Sequence, residues 1–238
     1  MPAQETFEAI VNILRSLQDG DLLHFYQEPI RLSSGPTEIV TWPNHTPGAA
    51  HASQMAFGTY AQYRAILEER SFLAILRDGS LLRASYKFRH RDLTAHSLWF
   101  WPCPLDVPRD EIMEQTPLDA LDLYAADWQR YIRFRTPMRF DYDPGAACQD
   151  HPASHLHAQA HNCRIAIERP LGFAAFVRFV FRNFYCPDWN AHPDLWGGLA
   201  DELPEQSRAC LATSEMHSLH LAWKLDIAGL ASRMRDGG

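Results

Sequence analysis

The sequence has few cysteines, and they do not form closely spaced pairs. The five of them are odd in number and widely scattered: Cys103, Cys148, Cys163, Cys186 and Cys210. A disulfide framework needs paired cysteines, and a cysteine-based zinc knuckle needs a CxxC spacing, so the sequence argues against both kinds of scaffold. We therefore expect a cytoplasmic protein whose thiols are reduced.

Long apolar runs and the familiar catalytic motifs are also missing. No stretch approaches the roughly 18 uncharged apolar residues that a membrane helix needs. The first segment, residues 1–20, is acidic early and lacks the basic start and apolar block of a signal peptide. The sequence contains no glycine-rich phosphate loop, GxSxG elbow, HExxH helix or dinucleotide fingerprint. We expect no membrane partner and no nucleotide cofactor.

Net positive charge is lacking as well. The formal net charge of −7 argues against broad, nonspecific DNA binding, because such binding depends on phosphate neutralisation by many cations. Basic residues nevertheless concentrate in 83–91 and 130–139, whereas acidic residues dominate 106–127 and 201–205. This pattern leaves two interpretations open: a local basic surface on an acidic protein, or ordinary solvated strand faces.

The pattern of apolar residues predicts a mixture of helices and strands. Helical spacing favours helices over 5–18, 52–69, 117–131, 171–185 and 207–235. Extended segments are predicted around LLHFYQ, EIVTW, residues 95–101, residues 132–142, HLHAQAH and CRIAIE. Residues 187–205 are predicted to be irregular.

The clearest local signal is a hairpin. SFLAIL and LLRASYKF flank Arg77-Asp78-Gly79-Ser80, and Asp-Gly suits the positive φ angles of a tight turn. Many neighbouring segments resemble hairpin partners, which argues against a doubly wound parallel sheet. We predict a single α+β domain over 1–238, in which a curved antiparallel sheet of five to seven strands is flanked by helices at both chain ends.

An unusual histidine-rich segment follows the strand predicted over 132–142. Residues 151–161 contain four of the twelve histidines of the chain. Alternation along an extended segment places His155, His157 and His161 on one face. The same alternation places a second polar set, Arg133, Arg135, Arg139 and Asp141, on one side of the preceding strand.

Three interpretations of this segment stay open. The first is a metal-independent ribonuclease in which His155 and His157 are acid and base, since imidazole both accepts and donates protons near neutral pH. Arg139 and Arg135 would stabilise the phosphate, and Asp141 or Tyr142 would orient a histidine. The predicted substrate-binding residues are Arg83, Lys87, Arg133, Arg135, His151 and His161. No cofactor is expected for this chemistry.

The second and third interpretations use the same histidines differently. His155 and His157 could both ligate zinc, with Asp141, Asp143, Asp150, His151 and His161 as further ligands, which predicts a metal-dependent hydrolase. Alternatively, the histidines cross-link a loop and a sheet in a non-catalytic partner or scaffold subunit. Burial and mutual hydrogen bonding of the histidines would favour that last interpretation.

Five motifs occur in the order of a known family: LRDGSLLRASYKF, RTPMRFDYDP, HPASHLH, CRIAI and FRNFY. They resemble a bacterial family called domain of unknown function 2290, over roughly residues 55–186. A looser similarity, an Arg-Tyr/Phe-Asp strand before a proline–histidine segment, links the chain to small RNA-targeting toxins of toxin–antitoxin systems. That similarity implies an RNA substrate, functional positions at Arg139, Asp141, His151, His155 and His157, and a protein partner such as an antitoxin or a defence subunit.

Overall fold

Nine strands among the described residues form one antiparallel sheet. The computed structural model describes residues 2–45, 58–148, 151–158, 162–199 and 221. The strands are β1 Leu23–Tyr26, β2 Ile30–Ser34, β3 Thr37–Thr41, β4 Ala74–Leu76, β5 Leu81–Arg89, β6 Asp92–Trp101, β7 Met138–Tyr142, β8 Ser154–Ala158 and β9 Ile165–Ala166. They pair in the order β1-β4-β5-β6-β7-β8-β9, and β3 joins the hairpin β2–β3 to β5. The predicted α+β class and antiparallel sheet are confirmed, with more strands than the five to seven predicted.

Helices lie at both ends of the described chain and between the strands. They are α1 Pro2–Asp19, α2 Tyr60–Glu68, α3 Arg109–Glu114, α4 Pro117–Ala125, α5 Trp128–Tyr131, α6 Phe173–Phe184, α7 Cys186–Ala191 and α8 Pro193–Gly198. Within these described helices, none is long and apolar enough to cross a bilayer.

The two faces of the sheet are covered differently. On one face, α1 and α6 pack on a large core that includes Leu82, Leu98 and Phe140. On the other face, α2, α3 and α4 surround a smaller cluster around Leu81, Trp99 and Trp101. Since successive side chains of a strand alternate between faces, β5 and β6 contribute to both cores. This second face also carries the polar residues described below.

The predicted hairpin is confirmed. Ala74 pairs with Leu82 and Ile75 with Leu81, and the turn between these strands is closed by a hydrogen bond from Leu76 N–H to the Ser80 carbonyl, 2.7 Å. Gly79 has φ +81°, a conformation that glycine adopts without steric cost.

Several predicted element boundaries were wrong. The strand predicted over 132–142 begins only at Met138, because Pro137 has no N–H for the ladder and the Arg133 N–H bonds the Pro104 carbonyl instead. The single helix predicted over 117–131 is divided into α4 and α5. The segment 187–205, predicted to be irregular, contains helical turns at both α7 and α8.

Other boundaries depend on local chemistry or lie outside the described residues. Helix α2 begins at Tyr60, where Thr59 and Gln62 form a reciprocal capping box, and residues 52–57 of the predicted helix lie outside the described residues. The strand β2 was not predicted, although the turn-rich segment that follows it was. The helix predicted over 207–235 lies outside the described part of the chain.

Replacement of Phe140 by alanine is expected to lower the free energy of unfolding by about 3–5 kcal/mol, the usual cost of deleting a buried phenyl ring. Phe140 is fully buried in β7, and its ring lies 5.9 Å from that of Phe176 and 5.1 Å from that of Phe179. Urea denaturation measures the change. The matched control is Phe134→Ala, because Phe134 is 96% exposed. Equal losses in the two variants would contradict the packing described here.

Candidate active site

The pairing register of three strands brings distant polar residues into two rows. In the first row Ser97 of β6 is opposite Asp141 of β7, and Asp141 is opposite His155 of β8. The second row contains three residues in the same strand order: Trp99, Arg139 and His157. Because these positions are two residues apart on each strand, both rows lie on one face of the sheet.

The two histidines and the aspartate form a tight cluster, which we call the His-Asp cluster (Asp141, His155 and His157). The Nε2 atoms of His155 and His157 are 2.9 Å apart. Asp141 Oδ2 lies 3.3 Å from His157 Nε2 and 4.0 Å from His155 Nε2. Both histidines are only 1% exposed, so three proton-accepting groups meet where water has little access.

Arg139 adds a positive charge to the edge of the cluster. Its Nε lies 2.6 Å from Asp141 Oδ2, and one terminal nitrogen lies 2.8 Å from His157 Nε2. The guanidinium also lies 4.8 Å from the centre of a Trp99 ring, a cation–π contact that holds its plane in place. Arg139 is therefore held by an ion pair, a histidine and an aromatic face at once.

Outer hydrogen bonds orient the cluster. The Ser97 hydroxyl bonds Asp141 Oδ1 at 2.8 Å, and the Trp99 indole N–H donates to Ser97 Oγ at 3.0 Å. On the other side, His155 Nδ1 lies 2.7 Å from the Pro152 carbonyl oxygen. A carbonyl oxygen can only accept, so His155 Nδ1 carries a hydrogen.

The protonation of the cluster follows from burial and from its neighbours. Burial lowers the pKa of His155 to about 4, although Asp141 and the Pro152 carbonyl oppose that shift. Burial raises the pKa of Asp141, but the hydrogen bond with His157, the charge of Arg139 and the Ser97 hydroxyl together hold that pKa below its usual value. At neutral pH a neutral His155 therefore faces an ionised Asp141.

A hollow of about 480 Å³ opens over the cluster. Besides the cluster and Arg139, its lining includes Lys87 and Arg164, both exposed, and the half-buried His151. The His151 ring lies 4.6 Å from that of His155. The buried His-Asp cluster thus opens toward a rim that carries two cations.

The lining of the hollow brings together seven of the residues predicted from the sequence: Lys87, Arg139, Asp141, Tyr142, His151, His155 and His157. His155, His157, Arg139 and Asp141 form the floor of the hollow, and Lys87 and His151 lie on its walls. The predicted substrate residue His161 lies outside the part of the chain that the structure describes, as does the alternative metal ligand Asp150.

Three predicted arginines do not reach the hollow. Arg83 is 2% exposed, and its guanidinium lies 4.4 Å from a Trp42 ring centre, so it cannot contact a substrate. Burial lowers its pKa to about 10. The other two lie outside the strand ladder, where Arg133 pairs with Asp106 and Arg135 with Asp78. The three arginines lie away from the hollow because a buried indole and an irregular segment replace the predicted continuous basic face.

Tyr142 was predicted to orient a histidine. It contributes to the lining of the hollow, and strand alternation places its side chain on the face opposite that of Asp141. It is opposite Ser154 on one side and His96 on the other, and its ring lies 5.8 Å from the His96 ring. Asp141 Oδ2 lies within 4.0 Å of Nε2 of both His155 and His157.

Two residues of the site were not predicted. Ser97 is adjacent to Asp141 only because of the register between β6 and β7, which the sequence does not encode visibly. Arg164 reaches the hollow from the segment before β9, and only its position next to the histidine-rich segment hinted at it.

Comparison with known families agrees with the resemblance found in the motifs. Residues 22–223 match the model of a family described as an uncharacterized conserved protein, DUF2290. The chain belongs to this family. The match extends on both sides of residues 55–186, the range that contains the five motifs. No curated protein and no solved structure matches it. The similarity to RNA-targeting toxins stays a hypothesis.

The stability of the DUF2290 chain is expected to fall as pH is lowered from about 6.5 toward 4, partly because of His96. Burial lowers the pKa of His96 to about 4, and its Nε2 accepts a hydrogen bond from the Leu171 N–H at 3.1 Å. The unfolded chain takes up a proton near pH 6.5 that the folded chain refuses, so His96 alone costs about 2 kcal/mol between pH 7 and pH 5. Urea denaturation at both pH values measures this loss.

The variant His96→Gln is expected to remove this share of the pH dependence, because an uncharged amide replaces the imidazole. His90→Asn is the matched control, since His90 is exposed and has φ +57°, which asparagine tolerates. An unchanged slope in His96→Gln would show that His96 is not held neutral by burial.

Proposed function

We propose that the DUF2290 chain is a hydrolase that cleaves phosphodiester bonds, and that RNA is its first substrate to test. The observation that carries this proposal is the His-Asp cluster at the floor of a hollow with a cationic rim. The cluster supplies groups that can activate a nucleophile, and the rim supplies charges that can hold a phosphate.

The spacing within the cluster changes the roles predicted for the histidines. An acid and a base in an in-line displacement act on two oxygens on opposite sides of one phosphorus. Nitrogens of His155 and His157 that are 2.9 Å apart reach the same oxygen instead. Both histidines therefore act on the attacking water or 2′-hydroxyl, and another group protonates the leaving oxygen.

His151 is our candidate for that second role. It lines the hollow, is half-buried, and its ring lies 4.6 Å from that of His155. An imidazole at the wall can donate a proton to an oxygen that leaves toward solvent. The same position was predicted to bind substrate, and proton donation requires it to touch the substrate.

The cations around the hollow explain why the substrate should be a phosphodiester. Arg139 lies next to the cluster, and Lys87 and Arg164 are exposed at the rim. Guanidinium and ammonium groups bind the non-bridging oxygens of phosphate and stabilise the charge that develops there. With a net charge of −7 on the whole chain, this patch favours local capture of one strand over broad binding of a duplex.

One observation favours a second candidate function. His155 and His157 are each 1% exposed and lie within hydrogen-bonding distance of each other, as expected of a structural cross-link in a non-catalytic partner or scaffold subunit. In that case the cationic rim would bind a protein or RNA without cleaving it. A cleavage assay separates the two functions.

Purified wild-type chain is expected to cleave a labelled single-stranded RNA, and His157→Gln is expected to slow cleavage by at least about 100-fold, the usual contribution of a residue that activates the nucleophile. Lys87→Gln is expected to raise KM more than it lowers kcat, because Lys87 holds the substrate at the rim. Gel electrophoresis of reactions with and without added divalent metal, on RNA and on DNA of the same sequence, measures both effects.

The matched control is Arg89→Gln, which removes an exposed cation from the same strand face as Lys87 but outside the lining of the hollow. Cleavage that persists at the wild-type rate in His157→Gln would assign the activity to a contaminant. Intact RNA and DNA with wild-type protein in every condition would overturn the proposed hydrolase and leave the scaffold function.

A further inference from the structure

The His-Asp cluster has more acceptor atoms than donors at its centre. Three atoms from two strands, His155 Nε2, His157 Nε2 and Asp141 Oδ2, lie within 4.0 Å of one another. We propose that these three atoms bind a divalent transition-metal ion, with zinc as the ion that fits their chemistry. The site stands whether or not the hollow cleaves a phosphodiester.

The hydrogen bond to Pro152 fixes which ring nitrogen of His155 carries the hydrogen. Its Nδ1 lies 2.7 Å from the Pro152 carbonyl oxygen, which accepts the Nδ1 hydrogen. A neutral imidazole carries one hydrogen, so the Nε2 of His155 presents a lone pair. That lone pair is directed at His157 Nε2, 2.9 Å away.

Neither tautomer of His157 fits all of its neighbours. If His157 Nε2 carries the hydrogen, it can donate to Asp141 Oδ2 at 3.3 Å, but it then faces a donor of Arg139 at only 2.8 Å. If it carries a lone pair, it faces the lone pair of His155 at 2.9 Å and an oxygen of Asp141 at 3.3 Å. Either tautomer therefore leaves two donors or two acceptors in contact, and an unsatisfied polar group is costly at a buried position.

A proton does not resolve the conflict. An extra proton on His155 Nε2 would lie on the line between His155 Nε2 and His157 Nε2. It would not reach Asp141 Oδ2, which would still face His157 Nε2. It would also place a buried imidazolium beside the Arg139 guanidinium, and like charges repel strongly where water is absent. A multivalent cation between the three atoms satisfies all of them at once.

The distances suit a metal ion. Zinc bonds of 2.0–2.1 Å in a tetrahedron separate two ligand atoms by about 3.3 Å. The three separations in the cluster are 2.9, 3.3 and 4.0 Å, so small shifts complete three corners. Two imidazoles and one carboxylate are a usual ligand set for catalytic zinc, whose fourth position remains open.

The surroundings of His155 and Asp141 match those of metal-binding histidines and carboxylates. A ligating histidine usually donates its second ring N–H to a carbonyl, as His155 does to Pro152, and a ligating carboxylate is usually hydrogen-bonded, as Asp141 is by Ser97. The open corner faces the hollow, where a bound water would become acidic enough to supply hydroxide near neutral pH.

Arg139 is expected to affect metal binding and phosphate binding in opposite directions. Its terminal nitrogen occupies the lone pair of His157 that the metal needs, and its charge repels a cation. Arg139 must therefore leave His157 Nε2 when the ion binds, and it can keep its contact with Asp141. Removing this charge is expected to preserve or strengthen metal binding while it weakens phosphate binding.

The test is isothermal titration of zinc chloride into full-length, tag-free protein that has been stripped with EDTA and dialysed. Wild type is expected to bind one zinc ion per chain, and His157→Gln is expected to lose that binding. Ser97→Ala is expected to bind about 10–100-fold more weakly, the usual effect of losing an outer hydrogen bond to a ligand. Arg139→Gln is expected to bind at least as tightly as wild type.

Two controls keep these results interpretable. His90→Asn removes an exposed histidine outside the cluster and is expected to bind zinc as wild type does. Ser85→Ala removes a hydroxyl from the β5 position paired with Ser97 and is expected to have at most a small effect. Circular dichroism verifies that each variant is folded.

The proposal is overturned if wild type binds no zinc stoichiometrically, or if the folded His157→Gln variant binds as wild type does. Stoichiometric zinc without cleavage of RNA or DNA would overturn the proposed hydrolase and support the metal site. Cleavage in EDTA by protein that binds no zinc would overturn the metal site and support the proposed hydrolase.

Discussion

The register between β6, β7 and β8 is the constraint on which the candidate site depends. It aligns Ser97, Asp141 and His155 in one row and Trp99, Arg139 and His157 in the next. A slip of one residue in β8 would move both histidines to the core face and Leu156 to the hollow. Burial of Leu156 and Phe140 on the opposite face makes such a slip costly, so packing on one face holds the chemistry on the other.

Aromatic rings allow this sheet to carry positive charge near its interior. Arg83 and Arg139 both lie over faces of Trp99, and Arg83 also lies over Trp42. Burial of a guanidinium against an indole face costs less hydration free energy than burial of an ammonium would, because the guanidinium is more weakly hydrated. The same indole donates its N–H to Ser97, so one side chain both holds arginines and orients the bond to Asp141.

One face of the sheet has a region that helices cover and an uncovered region that holds the candidate site. Helices α2, α3 and α4 pack where Leu81, Trp99 and Trp101 are apolar. Further along the same strands the residues become polar, beginning with Ser85 and Ser97, and there the hollow opens. The site therefore lies where the apolar pattern of the second face ends.

Much of this arrangement could be read from local patterns. Alternation predicted that His155 and His157 share a face and that Arg139 and Asp141 share one, and the Asp78-Gly79 turn predicted the β4–β5 hairpin. Pro137 marks the place where the observed strand departs from the predicted one. It ended the strand at Met138, which removed Arg133 and Arg135 from the site.

The sequence by itself determined the α+β class, the family and the residue types that carry the chemistry, because periodicity and motif order are local properties of the chain. Only the tertiary structure decided that His155 and His157 point at each other, that Asp141 lies beside both of them, and that Arg83 is buried under Trp42. These outcomes depend on strand register and on side-chain packing between distant segments, and neither is set by neighbours along the chain.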